Sequence, residues 1–276
     1  MRPHALTVFG MTGRMGQSLI RALREGAERE GGAREGAEFE LRGATASAGS
    51  TRLGLDAAAD GPATGVLITS DPAAALKGAS VALDFSVGSA VALHAQACVR
   101  GSVPLLVGTT GFDAPAKAEL TRAAKSIAVL IAPNTSIGVA VLNELTAAAS
   151  RALGSLYDVD ISEAHHRQKR DAPSGTALKL GETIARSRNV ALNEVAVFER
   201  HGMDTPRRAG SIGFSVVRAG DIVGEHTVTF TGSGERLELT HRATDRITFA
   251  RGALRAAAWL IGRPPGLYEM KDVLGL

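Results

Sequence analysis

Between residues 162 and 177 the chain reads Ser162-Glu163-Ala164-His165-His166-Arg167-Gln168-Lys169-Arg170-Asp171-Ala172-Pro173-Ser174-Gly175-Thr176-Ala177, a run that gathers two adjacent histidines, three cations and two acids. Imidazole and ammonium groups held in place can donate or accept protons. The preceding Tyr157-Asp158-Val159-Asp160-Ile161-Ser162 alternates apolar and polar residues as a half-buried strand does. Strand geometry sends neighbouring side chains to opposite faces, so His165 and His166 are expected to do different jobs. Pro173 biases the residue before it away from helix, and Ser174 is a good N-cap for an apolar-periodic helix from Ala177 to Ile184. A helix start offers free backbone N–H groups that attract an anion. With Arg167, Lys169 and Arg170 just upstream, the stretch reads as a cationic cup for a carboxylate or phosphate. A solvated basic loop before a capped helix has the same composition, but such clustered cations repel one another unless an anion sits among them.

The elements that would carry a partner for this cup begin at the N-terminus. A short buried strand, Ala5 to Phe9, runs into Gly10-Met11-Thr12-Gly13-Arg14-Met15-Gly16 and then the amphipathic Gln17 to Leu23. Strand, glycine turn and helix occur in the order a dinucleotide site needs: a tight turn, close backbone approach to a pyrophosphate, and close helix packing. The spacing is G-x-x-G-x-x-G, which also suits a plain glycine-rich turn. Glu25 to Glu38 reads as a solvated helix end and loop without function. Phe39 to Thr45 reads as a second strand, but Ala46-Ser47 stand where a ribose-binding acid is usual, which weakens strict NAD use. Strand–helix alternation continues through Gly65–Thr69, Val81–Ser86 with a helix Ser89 to Val99, Val103–Val107 and Ile127–Ile131. This predicts an α/β fold with a Rossmann-like parallel sheet covered by helices, whose tips at Gly10–Gly16, Phe85-Ser86, Gly108-Thr109-Thr110 and Ala132–Thr135 converge on one crevice.

A long helix from Ile137 to Leu153 is followed by strand-and-turn composition up to about Thr244. Segments 210–218, 224–230 and 235–241 are expected as antiparallel strands joined by Ala219-Gly220-Asp221 and Thr231-Gly232-Ser233-Gly234 turns. Their open sheet needs a cover, most simply a partner subunit. The apolar segment Ile247 to Ile261 then returns to the first domain. The predicted organisation is a dinucleotide-binding domain from 1–136 and 246–276, with an inserted α+β substrate and oligomerisation domain at 137–245.

The chain has 276 residues, 45% of them hydrophobic, enough for two modest cores. A net charge of +3 and no interleaving of basic with aromatic residues argue against nucleic acid and for small anionic ligands. The lone Cys98 rules out an internal disulfide and a cysteine-based metal site; no metal is expected. Without a signal region or a membrane-length apolar run, the expectation is a cytoplasmic protein.

The chain resembles the dihydrodipicolinate reductase (4-hydroxy-tetrahydrodipicolinate reductase) family over nearly its whole length. The carrying motifs are Gly10–Gly16, Gly108-Thr109-Thr110-Gly111-Phe112, Ala132-Pro133-Asn134, Arg218-Ala219-Gly220-Asp221-Ile222-Val223-Gly224-Glu225-His226 and the specific E-x-H-H-R-x-K-x-D-x-P-S-G-T block from Glu163 to Thr176. The resemblance implies an enzyme of diaminopimelate and lysine biosynthesis. It would use NADPH or NADH to reduce a cyclic, unsaturated dicarboxylate and would assemble as a homotetramer through its second domain. By position, His165 is similar to the family's proton donor or acceptor and Lys169 to its proton donor. His166, Gly175 and Thr176 match its substrate contacts. Gly10, Met11, Thr12, Gly13, Arg14, Met15, Gly108, Thr109, Thr110, Ala132, Pro133, Asn134 and Thr135 match its cofactor contacts. Two positions depart from the pattern: Ala46-Ser47 replace an acid followed by Arg, and Thr135 stands where a bulkier residue is frequent. Loss of the acid removes a repulsion from a 2′-phosphate, and Arg14 or Arg52 could supply a counter-charge, which favours NADPH. Two other readings remain open at this point: a different two-domain oxidoreductase without a dicarboxylate cup, and a nucleotide-binding scaffold that turns nothing over.

Overall fold

The computed structural model describes residues 3–28, 38–202 and 206–276. The part of the expected Glu25–Glu38 loop at 29–37 lies outside the described residues. In chain order the elements are β1 (His4–Phe9), α1 (Arg14–Glu28), β2 (Phe39–Thr45), β3 (Ile68–Thr69), α2 (Pro72–Ala75), β4 (Val81–Asp84), α3 (Val91–Gly101), β5 (Leu105–Val107), α4 (Ala114–Ala123), β6 (Ala128–Ile131), α5 (Ile137–Leu153), β7 (Asp158–His165), α6 (Gly175–Ser187) and α7 (Leu192–Val195). After these come β8 (Ala196–Val197), β9 (Ile212–Arg218), β10 (Gly224–Thr231), β11 (Arg236–Ala243), α8 (Ile247–Leu260), β12 (Gly266–Tyr268) and α9 (Met270–Leu274). The chain forms two compact units, Met1–Ile137 with Arg246–Leu276, and Gly138–Asp245.

In the first unit seven strands form one sheet in the order β12-β6-β5-β4-β1-β2-β3, parallel throughout. Alternation along the strands decides the layers. Phe9, Ala82, Leu105, Val107 and Val129 pack against Val91, Ala95 and Cys98 of α3 and Ala116, Leu120 and Ala123 of α4. The alternate residues Leu6, Val8, Leu83, Leu106 and Leu130 are fully buried toward the other face, where α8 lies against β4, β5 and β6 and beside α1. Burial raises the Cys98 thiol pKa, as an inert core thiol requires. The strand order reverses between β1 and β4, the switch point beyond which open α/β sheets bind ligands.

Two expectations change here. The segment expected as a strand from Gly65 keeps only Ile68–Thr69 paired to β2, because the preceding residues wrap around the Asp56 carboxylate, which accepts N–H bonds from Thr64 and Gly65. The helix expected from Ser89 begins at Val91 after a single 3₁₀ turn and runs on to Gly101.

The second unit holds a five-stranded mixed sheet, β11-β10-β7-β9-β8. One face packs Val159, Ile161, Ile212, Phe214, Val228 and Phe230 against Ala177, Leu180 and Ile184 of α6. The hairpin expected between residues 210–218 and 224–230 is overturned. β7 lies between them, parallel to β9 and antiparallel to β10, while β10 and β11 do form the expected antiparallel pair. The reason is burial: Val159 and Ile161 are fully buried, so β7 takes a central place and residues 219–223 become a crossover past its end. That crossover is fastened to β7 by Ala219 N–H donating to the His165 carbonyl and Arg167 N–H donating to the Gly220 carbonyl.

Candidate functional site

The crossover puts β7's last residues, the start of α6 and Arg218 around one buried carboxylate. Alternation places Glu163 and His165 on the same buried face of β7. Glu163 accepts a bidentate pair of bonds from Arg218, Nη1 to Oε2 at 2.7 Å and Nη2 to Oε1 at 2.7 Å. It also accepts the Ser174 N–H at 2.9 Å and pairs with His165 Nδ1 at 2.6 Å. Burial alone would raise the Glu163 pKa; the bonds from Arg218, His165 and the Ser174 N–H outweigh it and hold the carboxyl below its usual value. Burial lowers the His165 pKa, Glu163 partly restores it, and the charges of Lys169 and Arg218 lower it again. The imidazole is therefore neutral at physiological pH, with Nδ1 engaged by the carboxylate. Its Nε2 points at Gly224, where an added Cβ would stand 3.0 Å away.

Ser174 is the N-cap of α6: its hydroxyl accepts the Ala177 N–H and meets His226 Nε2 at 2.9 Å. The rings of His226 and His165 stand edge to face, 5.1 Å apart. Burial and the neighbouring His165 push the His226 imidazole down to about 3. Lys169 follows a turn closed by its N–H on the His166 carbonyl, and its ammonium pairs with Asp171 at 2.9 Å. His166 is half-buried where His165 is buried, as alternation requires. Gly175 is exposed, an added Cβ would meet nothing there, and Thr176 follows in the first turn of α6, so open backbone faces outward at the helix start. Arg167 and Arg170 are exposed and form no ion pair among the described residues.

In the first unit Gly10 has φ +81°, and an added Cβ would strike the Phe85 carbonyl. Gly10 and Met11 both donate N–H bonds to the Thr45 carbonyl, which draws the turn over the ends of β1 and β2. At Gly16 an added Cβ would collide with Met11's backbone, so the third glycine seats α1 against the turn. Met11 is buried and can offer a ligand only its backbone, whereas Thr12, Gly13 and Arg14 are exposed at the helix start. The tips of β4, β5 and β6 lie alongside: Gly108 and Thr109 N–H donate to the Asp84 carbonyl, and Ala132 N–H to that of Val107. Gly108 has no room for a side chain because Phe85's ring occupies it. Pro133 is exposed, the Asn134 carboxamide oxygen accepts the Ser136 N–H, and the Thr135 hydroxyl donates to the Phe249 carbonyl of α8 at 2.7 Å. Thr135 thus offers its backbone, and its side chain pins α8.

Beneath these tips lies a network not anticipated from sequence. Asp84 is fully buried and accepts bonds from the Ser86 hydroxyl at 2.6 Å and the Thr109 hydroxyl at 2.7 Å, and it meets His94 Nδ1 at 2.8 Å. Burial would raise the Asp84 pKa, but His94, Ser86 and Thr109 together hold it low. Spacing could have flagged His94, which falls on the apolar face of α3 opposite Phe9, and their rings stack 4.2 Å apart. Glu163 carried its own signal, an acid two residues before a histidine on a buried strand face; Arg218 stood out only as part of a motif, and its place beside Glu163 comes from the pairing of β9 with β7. Arg52, a candidate counter-charge, is instead committed to the carbonyls of Asp56 and Ala58.

The glycine turn and the N–H groups of α1's first turn, which have no intrahelical acceptors, fit a dinucleotide's pyrophosphate. Among the described residues no cluster of His, Cys, Asp or Glu could hold a metal ion, and no helix is long and apolar enough to cross a membrane.

Comparison with known proteins finds one family along both units. Family models described as dihydrodipicolinate reductase, N-terminus and C-terminus, match residues 4–135 and 138–274. The 4-hydroxy-tetrahydrodipicolinate reductase of Anaeromyxobacter dehalogenans is 48% identical over 273 residues, covering 98% of this chain and 97% of that protein. That of Bordetella parapertussis is 49% identical over 275 residues, covering 99% and 98%. The solved dipicolinate-bound dihydrodipicolinate reductase from Paenisporosarcina sp. TG-14 has the same fold, with a TM-score of 0.75 at 22% identity and 98% of each chain covered.

The buried ionisable groups fix how stability depends on pH. Glu163 and Asp84 have folded pKa values below their unfolded ones, so their contribution is complete above the usual carboxylate range and is lost as pH falls through the folded values. His226 works in the same direction: neutral when folded down to about 3, it binds a proton near 6.5 when unfolded. Stability should therefore fall steadily as pH drops from about 6.5 toward 3. Thermal unfolding followed by circular dichroism across that range checks this; a midpoint that is flat or rises on acidification contradicts it.

Proposed function

The chain belongs to the dihydrodipicolinate reductase family, and from that premise we propose that it reduces 4-hydroxy-tetrahydrodipicolinate to tetrahydrodipicolinate in diaminopimelate and lysine biosynthesis. The observation that carries the reading is the meeting, within the second unit, of a neutral imidazole (His165), an ammonium (Lys169) and the open start of α6. A cyclic dicarboxylate suits these groups. One carboxylate takes the backbone N–H groups of Gly175 and Thr176 at the positive end of α6, and the other takes the cations around His166 and Lys169.

The nicotinamide, when bound, supplies the hydride. The chain's own residues manage charge and protons. Lys169 holds a proton for the carbon next to the one reduced, and Asp171 keeps its flexible side chain in place until substrate arrives. His165 exchanges a proton through Nε2, since Nδ1 is engaged. In the first unit the turn from Gly10 to Met15 holds the cofactor's pyrophosphate through the N–H groups of Thr12, Arg14 and Met15, since those of Gly10, Met11 and Gly13 are spent inside the turn and on the Thr45 carbonyl, and the tips Gly108–Thr110 and Ala132–Thr135 hold its nicotinamide half. With Arg52 committed to loop carbonyls, Arg14 is the cation left for a 2′-phosphate, so NADPH is the better donor. The enzyme acts in the cytoplasm as a homotetramer. The outward face of the second sheet supports a self-association surface: hydroxyl pairs Ser162–Ser215 and Thr227–Thr240 line it, and Val217 beside them is half exposed.

Turnover is measured by coupling the condensation of pyruvate with aspartate semialdehyde to loss of nicotinamide absorbance. His165→Gln and Lys169→Ala should each lower kcat by roughly two orders of magnitude with little change in KM, the behaviour of proton-transfer groups. Unchanged turnover in both variants defeats the assignment. In the same assay kcat/KM should be higher with NADPH than with NADH, and Arg14→Ala should narrow the gap; a clear NADH preference in the parent protein refutes the role given to Arg14. Light scattering should report a particle of four chains, and a monomer would remove the oligomerisation role from the second sheet.

A further inference from the structure

We propose that Glu163 is a positioning residue for the reaction: one buried carboxylate fixes the His165 imidazole with its proton on Nδ1 and, through the Ser174 N–H, fixes the start of α6 relative to that imidazole. The inference rests on the reductase reading, in which Nε2 of His165 and the α6 N-terminus meet the substrate.

The geometry carries it. The two carboxylate oxygens serve different sides of the site: Oε2 pairs with His165 Nδ1 at 2.6 Å, and Oε1 accepts the Ser174 N–H at 2.9 Å. Arg218 spans both oxygens, and its Nη2 also donates to the Asp171 carbonyl at 2.7 Å, so the carboxylate cannot rotate without breaking the fork. A carboxylate held below its usual pKa is an acceptor only, so the hydrogen shared with His165 resides on Nδ1 and the lone pair is left on Nε2. Gly224 leaves room at that nitrogen, where an added Cβ would stand 3.0 Å away. The groups facing His165 are Glu163, Lys169, Arg218 and His226, and Glu163 is the one anion among them. Removing its charge should therefore make the imidazole harder to protonate.

The test uses the full-length protein. In the parent, nitrogen NMR of the His165 ring, assigned by loss of its signals in His165→Gln, should show the proton on Nδ1 at neutral pH. A ring protonated on Nε2 overturns the proposal whatever the kinetics show. Glu163→Gln should lower kcat roughly a hundredfold, mix the two tautomers, and move the limb of the kcat/KM profile set by His165 to lower pH. The double variant Glu163→Gln/His165→Gln should be no slower than His165→Gln alone, within about twofold, because one residue acts through the other. Multiplied losses, or an unmoved pH limb, overturn it. Glu163→Asp keeps the charge for Arg218 but draws the carboxylate back from Nδ1. It covers the case where the Gln variant does not fold, and a parent-like tautomer and kcat in it would also count against the proposal. Absence of reductase activity in the parent would refute the functional reading instead, and the NMR result would stand apart from it.

Discussion

A carboxylate sealed from water is tolerable only when donors surround it, and the second unit is arranged to supply them to Glu163. Arg218 reaches it from β9, His165 from the same strand, and the Ser174 N–H from the cap of α6. The Glu163 side chain is 1% exposed and that of Arg218 18%, so this is a buried pair rather than a surface contact. Removing one partner from such a pair costs about 3–5 kcal/mol, because it strands the other charge. Hence the central place of β7 and the parallel pairing of β9 are linked: that pairing sets Arg218 opposite His165, and the crossover past His165 carries the chain to β10 on the other side of β7.

That linkage explains what could be read in advance. The parallel sheet, the helix from Ile137 to Leu153 and the Ser174 cap follow from periodicity, glycine placement and capping chemistry, all local signals. The order of β7, β9 and β10 is not local. Turn residues at Ala219-Gly220-Asp221 look the same whether they close a hairpin or lead a strand past a third one. Only the fully buried Val159 and Ile161 decide between the two. For the same reason His165 and Lys169 stood out by type and spacing, while Arg218, 55 residues from Glu163, drew notice only through a motif.

Side-chain commitments are the other blind spot. Thr135 and Arg52 both carry groups suited to a cofactor, and both direct them inward, to the Phe249 carbonyl and to the carbonyls of Asp56 and Ala58. A polar residue at a strand tip can hold a ligand or hold the tip, and its type does not say which. Asp84 is the reverse case, an apparently ordinary strand-end acid that ties Ser86 and Thr109 together under the loops expected to meet the cofactor.

The two units thus bury the same pair of groups, a carboxylate facing a histidine Nδ1, at 2.8 Å in Asp84–His94 and 2.6 Å in Glu163–His165. Their surroundings separate the roles. His94 stacks on Phe9 in the core of a helix–sheet layer, and the Asp84 oxygens are filled by hydroxyls of the same unit, so the pair stiffens the strand tips. His165 sits at the last position of its strand, beside a lysine and the open start of a helix, with Nε2 facing a glycine. The carboxylate sets the tautomer in both. What the other ring nitrogen faces, a packed core or an open helix start, decides whether the histidine is structure or chemistry.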